Sequence, residues 1–233
     1  MAILQMLTIE AGLKAEQDLL ATVCAGELEA GVLFWQPTDR ALVMPRRMGR
    51  LSGFEHASVE LASSGWPILL RETGGEPVPQ SSSTLNIALV YAPPRSESDH
   101  GRIERAYRRL CEPICEQLTE LGGVASLGEV EGAFCDGRFN VNLNGRKLVG
   151  TAQRWRQSKG GQRPVGLVHG ALLLDNERES MVAAVNRFNQ LCGLGQRCRA
   201  DSHIALHEMF KAPDFFERLS VRYQDMLALL LKP

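Results

Sequence analysis

Charge of one sign is what this chain most lacks. Its 26 Lys and Arg stand against 27 Asp and Glu, a formal net charge of −1 over 233 residues, which argues against a general electrostatic grip on nucleic acid or on an anionic membrane. No apolar run approaches the roughly 20 residues needed to span a bilayer. The first residues lack the basic segment and apolar core of a secretory signal, so a cytoplasmic protein is expected. Six cysteines with no CxxC pair call for no disulfide framework, and reduced thiols fit that setting. Gly-Lys-Ser/Thr does not follow the paired glycines, which excludes a Walker loop, and no HExxH zinc helix is present. Linkers, repeats and low-complexity tracts are missing as well. With 44% hydrophobic residues the chain can bury one substantial core, so a single domain over 1–233 is expected, with 176–233 as a helical C-terminal part.

What is present centres on Glu131 to Gln153. Asn144-Gly145 lies between two alternating segments, the strongest short-range hairpin signal, because both turn residues must accept positive φ. A two-residue loop pairs Leu143 with Arg146 and Asn142 with Lys147. Side chains alternate across a strand, so the spacing places Phe139, Val141 and Leu143 on one face with Leu148, Gly150 and Ala152. The other face gathers Arg138, Asn140, Asn142, Lys147, Thr151 and Gln153, with Cys135 just before it. A thiol and an amine near one polar surface suit acyl transfer. Polar strand faces are ordinarily just solvated, and free cysteines are ordinarily small buried hydrophobes; periodicity does not separate these readings.

The rest of the chain alternates helix and strand signals. Residues 11–28 read as a helix with Leu19, Leu20, Val23, Cys24 and Leu28 on one face. Residues 31–35 and 41–44 read as strands about a turn at Pro37-Thr38-Asp39. Ser52-Gly-Phe-Glu55 has the form of a capping box, opening a helix that runs to about Ser64. Residues 67–70 enter a glycine-containing loop, and 85–91 leave it as a strand. Over 101–121, Ile103, Tyr107, Leu110, Ile114, Leu118 and Leu121 form a helical stripe that Pro113 should kink or divide. Residues 165–174 read as a buried strand and the remainder as helical, closing on a segment capped by Asp214 through Leu231. The class is α/β (α+β), a mixed, largely antiparallel sheet packed with helices, rather than regular parallel crossover units.

A second chemical stretch runs from Leu70 to Gln80. Gly74 and Gly75 after a strand let backbone approach a ligand and aim amides at an anion or a carbonyl, and Arg71 adds a charge-assisted bond there. Pro77 and Pro79 equally fit a rigid surface loop.

Three motifs then stand in order across most of residues 30–176: Arg71-Glu-Thr-Gly-Gly-Glu-Pro-Val-Pro-Gln80, Gly145-Arg-Lys-Leu-Val-Gly-Thr-Ala-Gln153 and Val168-His-Gly-Ala-Leu-Leu-Leu-Asp175. They resemble the Arg-Arg-Ser-Gly-Gly-Gly-Ala-Val-x-His loop, the Gly-Arg-Lys-Ile-x-Gly-Ser-Ala segment with its active lysine, and the His-His-Gly-Thr-Leu-Leu strand of the lipoate-protein ligase A family. The resemblance implies the biotin/lipoate ligase catalytic-domain fold. Phe134-Cys-Asp-Gly-Arg-Phe-Asn140 is similar to the nucleophile-bearing segment of that superfamily's cysteine-dependent octanoyltransferases and lipoyl amidotransferases. By that resemblance Cys135 takes an octanoyl or lipoyl group from a thioester donor and passes it to the lysine of a lipoyl domain or a glycine-cleavage H protein, with no cofactor required.

The same resemblance implies Lys147 as the second catalytic residue, holding the acyl carbonyl. It implies Arg71, Thr73, Gly74, Gly75, Val78, Arg138, Asn140, Gly150, Thr151 and Ala152 as the substrate-binding set. A nucleophilic thiol benefits from cationic neighbours, here Lys147 or Arg138. Two alternatives stay open. One is an ATP- and Mg-dependent lipoate-protein ligase forming lipoyl-adenylate, with Cys135 incidental; the other is a non-catalytic member that only binds lipoyl or octanoyl groups. Glu72, Glu76 and Gln80 stand where the family loop has an arginine, a glycine and a histidine, and the added acids oppose binding of a triphosphate.

Other candidates are weaker. Cys111, Cys115, Cys192 and Cys198 lack zinc-site spacing and read as core or surface thiols. His203 and His207 have the i,i+4 spacing of one helical face and read as a capped or solvated pair. His169, on an apolar strand, reads as a satisfied core residue. Arg154 and Arg156, flanking Trp155, suit an acidic carrier domain or a simple solvated edge.

Overall fold

The computed structural model describes residues 3–161 and 163–231. Its centre is β6 (Thr84–Tyr91), every residue of which is buried, as a strand covered on both faces requires. It pairs antiparallel with β2 (Ala30–Pro37) on one side and β10 (Pro164–Leu173) on the other. Beyond β10 run β9 (Arg146–Gln157), β8 (Val141–Leu143) and β7 (Ala125–Leu127), all antiparallel, while β1 (Leu4–Leu7) joins β2 in parallel. One face of this seven-stranded sheet is covered by α3 (Arg102–Glu120) and α6 (Phe215–Leu230), with Leu110, Ile114, Leu219 and Tyr223 packed on Phe34, Ile87 and Val141. A three-stranded sheet lies over the other face, β4 (Ile68–Arg71), β3 (Ala41–Pro45) and β5 (Val78–Gln80), with α1 (Ile9–Ala25), α2 (Phe54–Ser63) and α4 (Arg178–Leu191). A single turn, α5 (Leu206–Met209), precedes α6. The mixed, mostly antiparallel architecture agrees with the expected class.

The hairpin forms as expected. Asn144 and Gly145 take φ of 51° and 75°, and Leu143 and Asn142 face Arg146 and Lys147. One step further the register slips: Val141 opposes Val149, leaving Leu148 extra. A one-residue slip moves every later side chain to the other face, so the expected grouping fails beyond Lys147. Gly150 comes to the lysine's side, where a Cβ would stand 3.3 Å from Lys147 Nζ. Thr151 and Gln153 turn the other way, donating to Phe139 O and Ile103 O, each at 3.0 Å.

Other local expectations also yield to packing. Helix α1 ends at Ala25 with Gly26 in the left-handed conformation, which leaves Leu28 outside it and exposed. Ile103 of the α3 stripe is also exposed. Ser52 caps nothing; Gly53 starts α2 at φ 88°, because a Cβ there would lie 2.3 Å from Leu191 O at the end of α4. Pro113 does not divide α3: its ring is buried in the core, and tertiary packing overrides the local propensity. Asp214 stands at the start of α6 but makes no side-chain capping bond. Strands β1, β5 and β7, of three or four residues, are too short to show a period in sequence. The C-terminal part is broken between α4 and α5, with only a 3-10 turn at Ala200–Ser202, so His203 and His207 share no helical face. No helix among the described residues is long and apolar enough to cross a membrane.

Candidate active site

Cys135 lies in a turn-rich segment between β7 and β8 that Asp136 organises. The Asp136 carboxylate accepts from Val130 N–H at 2.9 Å, Gly137 N–H at 3.0 Å and Asn140 Nδ2 at 2.7 Å, the ordinary way an aspartate replaces backbone partners in a turn. The turn holds Cys135 at φ 46°, a left-handed conformation that costs an L-residue about 1–2 kcal/mol. The thiol is 7% exposed and faces the glycine loop, where the Glu76 N–H donates to Sγ at 3.3 Å. Gly75, at φ 97°, closes the contact: a Cβ there would stand 3.0 Å from both Cys135 Sγ and the Arg71 guanidinium.

Lys147 enters from β9 on the same side. It is 2% exposed, and Nζ donates to Phe134 O and Cys135 O, both at 2.6 Å. Burial pushes its pKa down from the usual lysine range, since low dielectric disfavours the ammonium. The two carbonyls engage two of the N–H positions on Nζ and leave the third position without a hydrogen-bond partner. Gly150 keeps one flank of the amine free of a side chain.

Phe134, the residue before the thiol, is held at its other end by His203. Phe134 N–H donates to His203 Nε2 at 3.2 Å, and His203 Nδ1–H donates to Arg199 O at 3.0 Å; these partners assign the neutral ring with its proton on Nδ1. The His203 and Phe134 rings stack at 4.2 Å. Burial, with Lys147 nearby, pushes the His203 pKa down to about 4.

The glycine loop is built from within. Arg71 is buried and donates to Val43 O, Gly74 O and Glu76 O, each at 2.8 Å, so its guanidinium shapes the loop while standing beside the thiol. Glu72 is held between Arg46 and Arg154, and their hydrogen bonds hold its carboxyl below the usual range. Gln80 forms a closed amide pair with Asn86, each nitrogen donating to the other's oxygen at 2.9 Å, and Thr84 Oγ1 donates to Gln80 Oε1 at 3.0 Å.

Between the two sheets a cavity is lined by Val43, Val78, Cys135, Gly150, Ala152 and Ala171, with Glu16 and His169 also on its wall. His169 is satisfied at both nitrogens, as expected: Nδ1 pairs with Glu16 Oε2 at 2.7 Å and Nε2 with Thr73 Oγ1 at 3.0 Å. Glu16 also accepts from Trp35 Nε1 at 3.0 Å. A cleft of about 330 Å³ lined by Lys14, Arg46, Leu69, Glu72, Thr73 and His169 adjoins this cavity.

The fold thus brings Arg71, Gly75, Val78, Gly150 and Ala152 around Cys135, with Lys147 of β9 bonded to the same turn and Thr73 behind His169. Gly74 is exposed at the loop tip. Asn140 and Thr151 brace the Cys135 turn, and the exposed Arg138 lies over the Phe139 ring, 5.7 Å from its centroid. Sequence reasoning did not single out Glu16, Phe134 or the Glu76 amide for this region, and placed His203 elsewhere. A backbone N–H leaves no residue-type signal, and His203 is 69 residues from the Phe134 it holds. Cys111 is a core thiol near Phe139 O, Arg154 is engaged with Glu72, and Arg156 is exposed.

Known proteins resemble this chain in sequence and in fold. The family described as Lipoyl protein ligase A/B catalytic domain matches residues 9–213. An uncharacterized protein of Cupriavidus necator is 33% identical over 217 residues, covering 87% of this chain and 83% of that protein. An Octanoyl-[GcvH]:protein N-octanoyltransferase of Kyrpidia tusciae is 37% identical over 148 residues, 61% of this chain and 50% of that enzyme, so the match spans about half the relative's length. Among solved structures, lipoate-protein ligase A bound with ATP superposes with a TM-score of 0.69 at 15% identity, covering 97% of this chain and 85% of that one, a likeness of fold.

Proposed function

Because the chain belongs to the lipoyl protein ligase A/B catalytic domain family, we propose that it moves an octanoyl or lipoyl group through a thioester on Cys135 to the lysine of a carrier, either a lipoyl domain or a glycine-cleavage H protein. The observation that carries this reading is the buried Cys135, whose thiol lies under the Glu76 N–H and whose carbonyl accepts from the buried Lys147 amine. The Kyrpidia relative is named for moving an octanoyl group from octanoyl-[GcvH] to a protein, which supports acyl transfer onto a protein carrier.

In the first half-reaction Lys147, whose pKa burial lowers, serves as the base that receives the Cys135 proton, and Sγ attacks the carbonyl carbon of an acyl thioester donor. A carbon–sulfur bond forms and the carbonyl electrons move to oxygen. The oxyanion then collapses, expelling the donor thiolate, which receives the proton from Lys147. The Glu76 N–H and the Arg71 guanidinium beside Sγ are donors for the developing charge, and one such donor is worth about 3 kcal/mol. The acyl chain runs along Val43, Val78, Gly150, Ala152 and Ala171, whose cavity of about 30 Å³ must widen to take it. In the second half-reaction the neutral amine of the carrier lysine attacks the Cys135 thioester. Lys147 accepts the proton that the amine loses and returns it to the departing Cys135 thiolate. The sum is thioester plus amine giving amide plus thiol, with no ATP, no Mg and no redox change. Glu72 engages both Arg46 and Arg154 in ion pairs, so neither guanidinium is left unpaired for a triphosphate. A thiol nucleophile also suits a reducing cytoplasm.

The test is intact mass after mixing the protein with an octanoyl-carrier thioester in the absence of ATP, beside Cys135→Ser. A gain of one octanoyl group on the wild type and none on the variant is expected. Carrier acylation that appears only with ATP and free octanoate would reject it.

A further inference from the structure

His203 takes no part in the steps above, yet it is bonded to the segment that carries both reacting groups. Its Nε2 accepts the Phe134 N–H at 3.2 Å, while Phe134 O accepts from Lys147 Nζ at 2.6 Å. Phe134 is therefore gripped at its amide by one residue and at its carbonyl by the other, and the next residue is the strained Cys135. The grip extends through the backbone. Residue 203 forms a parallel bridge with Lys147, and Ile204 N–H donates to Lys147 O at 2.9 Å. The chain before His203 secures the approach to the thiol: Arg199 N–H donates to Gly132 O at 2.7 Å, and Ser202 Oγ donates to Glu131 O at 2.7 Å. Arg199 O anchors the far side of the imidazole, and the ring face lies flat on Phe134.

We infer that His203 is a positioning residue for Cys135, holding the Phe134 amide so that the thiol stays under the Glu76 N–H and Lys147 stays on its two carbonyls. The inference rests on the acyl-transfer reading. What selects histidine is its combination of an acceptor at Nε2, a donor at Nδ1 on the opposite side and a flat face between them. An apolar side chain of similar size keeps the stack but leaves the Phe134 N–H buried and unpaired.

The amides of Gln and Asn separate these features. Gln carries an acceptor to about the place of Nε2, whereas Asn reaches only the place of Nδ1 and Phe retains the stack alone. His203→Gln is expected to form octanoyl-enzyme within about threefold of the wild-type rate, while His203→Asn and His203→Phe fall by about tenfold or more, with melting temperatures close to that of the Gln variant. The same rank order is expected for alkylation of Cys135 by iodoacetamide, which needs no acyl donor. If wild type takes up no octanoyl group, the acyl-transfer reading falls and the alkylation series alone judges His203. Equal alkylation in all four proteins overturns the inference. So does a loss of rate that simply follows melting temperature, with Gln no better than Asn.

Discussion

Cys135 and Lys147 are both buried, and the amine in particular would be costly there without its partners. Lys147 is tolerated in the interior because two carbonyls accept its hydrogen bonds, and those carbonyls belong to Phe134 and Cys135. Removing the amine strands both acceptors and removes the proposed base. Lys147→Met is expected to lower acyl transfer by about a hundredfold or more, the scale of a lost general base, in single-turnover assays; a loss below threefold would show that Lys147 only packs. Gly75 makes a separate demand, since its φ of 97° and its contact with Sγ both exclude a side chain. Gly75→Ala should cost about 1 kcal/mol or more in urea denaturation and slow alkylation of Cys135. Cys135, Lys147 and the glycine loop were legible as residue types in a motif. Glu76 was legible only as a departure, because what it offers the thiol is a main-chain N–H that any residue except proline supplies.

At the scale of elements, the long signals held and the short ones did not. The helical stripe of α3, the run of β6 and the Asn144-Gly145 hairpin have enough residues, or sufficiently special ones, to announce themselves. The bulge at Val141 and Asn142 does not: alternation assumes an unbroken ladder, and one extra residue in β9 exchanged the faces of Gly150 and Thr151. Gly150 consequently belongs beside the amine. Gly150→Ala, whose Cβ would meet Lys147 Nζ at 3.3 Å, should slow transfer while leaving the melting temperature within a few degrees; unchanged single-turnover rates would place the reacting groups elsewhere. The capping box failed for a related reason, since the close approach of α2 to the end of α4 requires Gly53 and leaves Ser52 without a role. Long-range pairing of this kind, His203 on Phe134 included, has no local signature.

Over the whole molecule, the neutral state of buried His203 ties stability to pH. Its pKa is pushed down to about 4 in the folded chain against about 6.5 when unfolded. Above pH 6.5 neither state carries the proton and nothing is lost. As the pH falls from 6.5 toward 4 the unfolded chain binds a proton that the folded chain refuses, so stability declines through that window, by about 3 kcal/mol at its lower end. Urea denaturation at pH 7.5 and pH 4.5 should show wild type losing about 2–3 kcal/mol more than His203→Gln, and equal losses would refute the assignment. Cys135 lines the cavity between the two sheets and Lys147 the pocket beside it, and the proposal is that an acyl group is carried covalently on that thiol. The most direct measurement is a chase: octanoyl-enzyme is freed of donor, mixed with a lipoyl domain without ATP, and followed by intact mass. The octanoyl group should leave Cys135 and appear on the carrier lysine at the rate of overall turnover. An octanoyl-enzyme that persists while the carrier is acylated by another route would contradict the account.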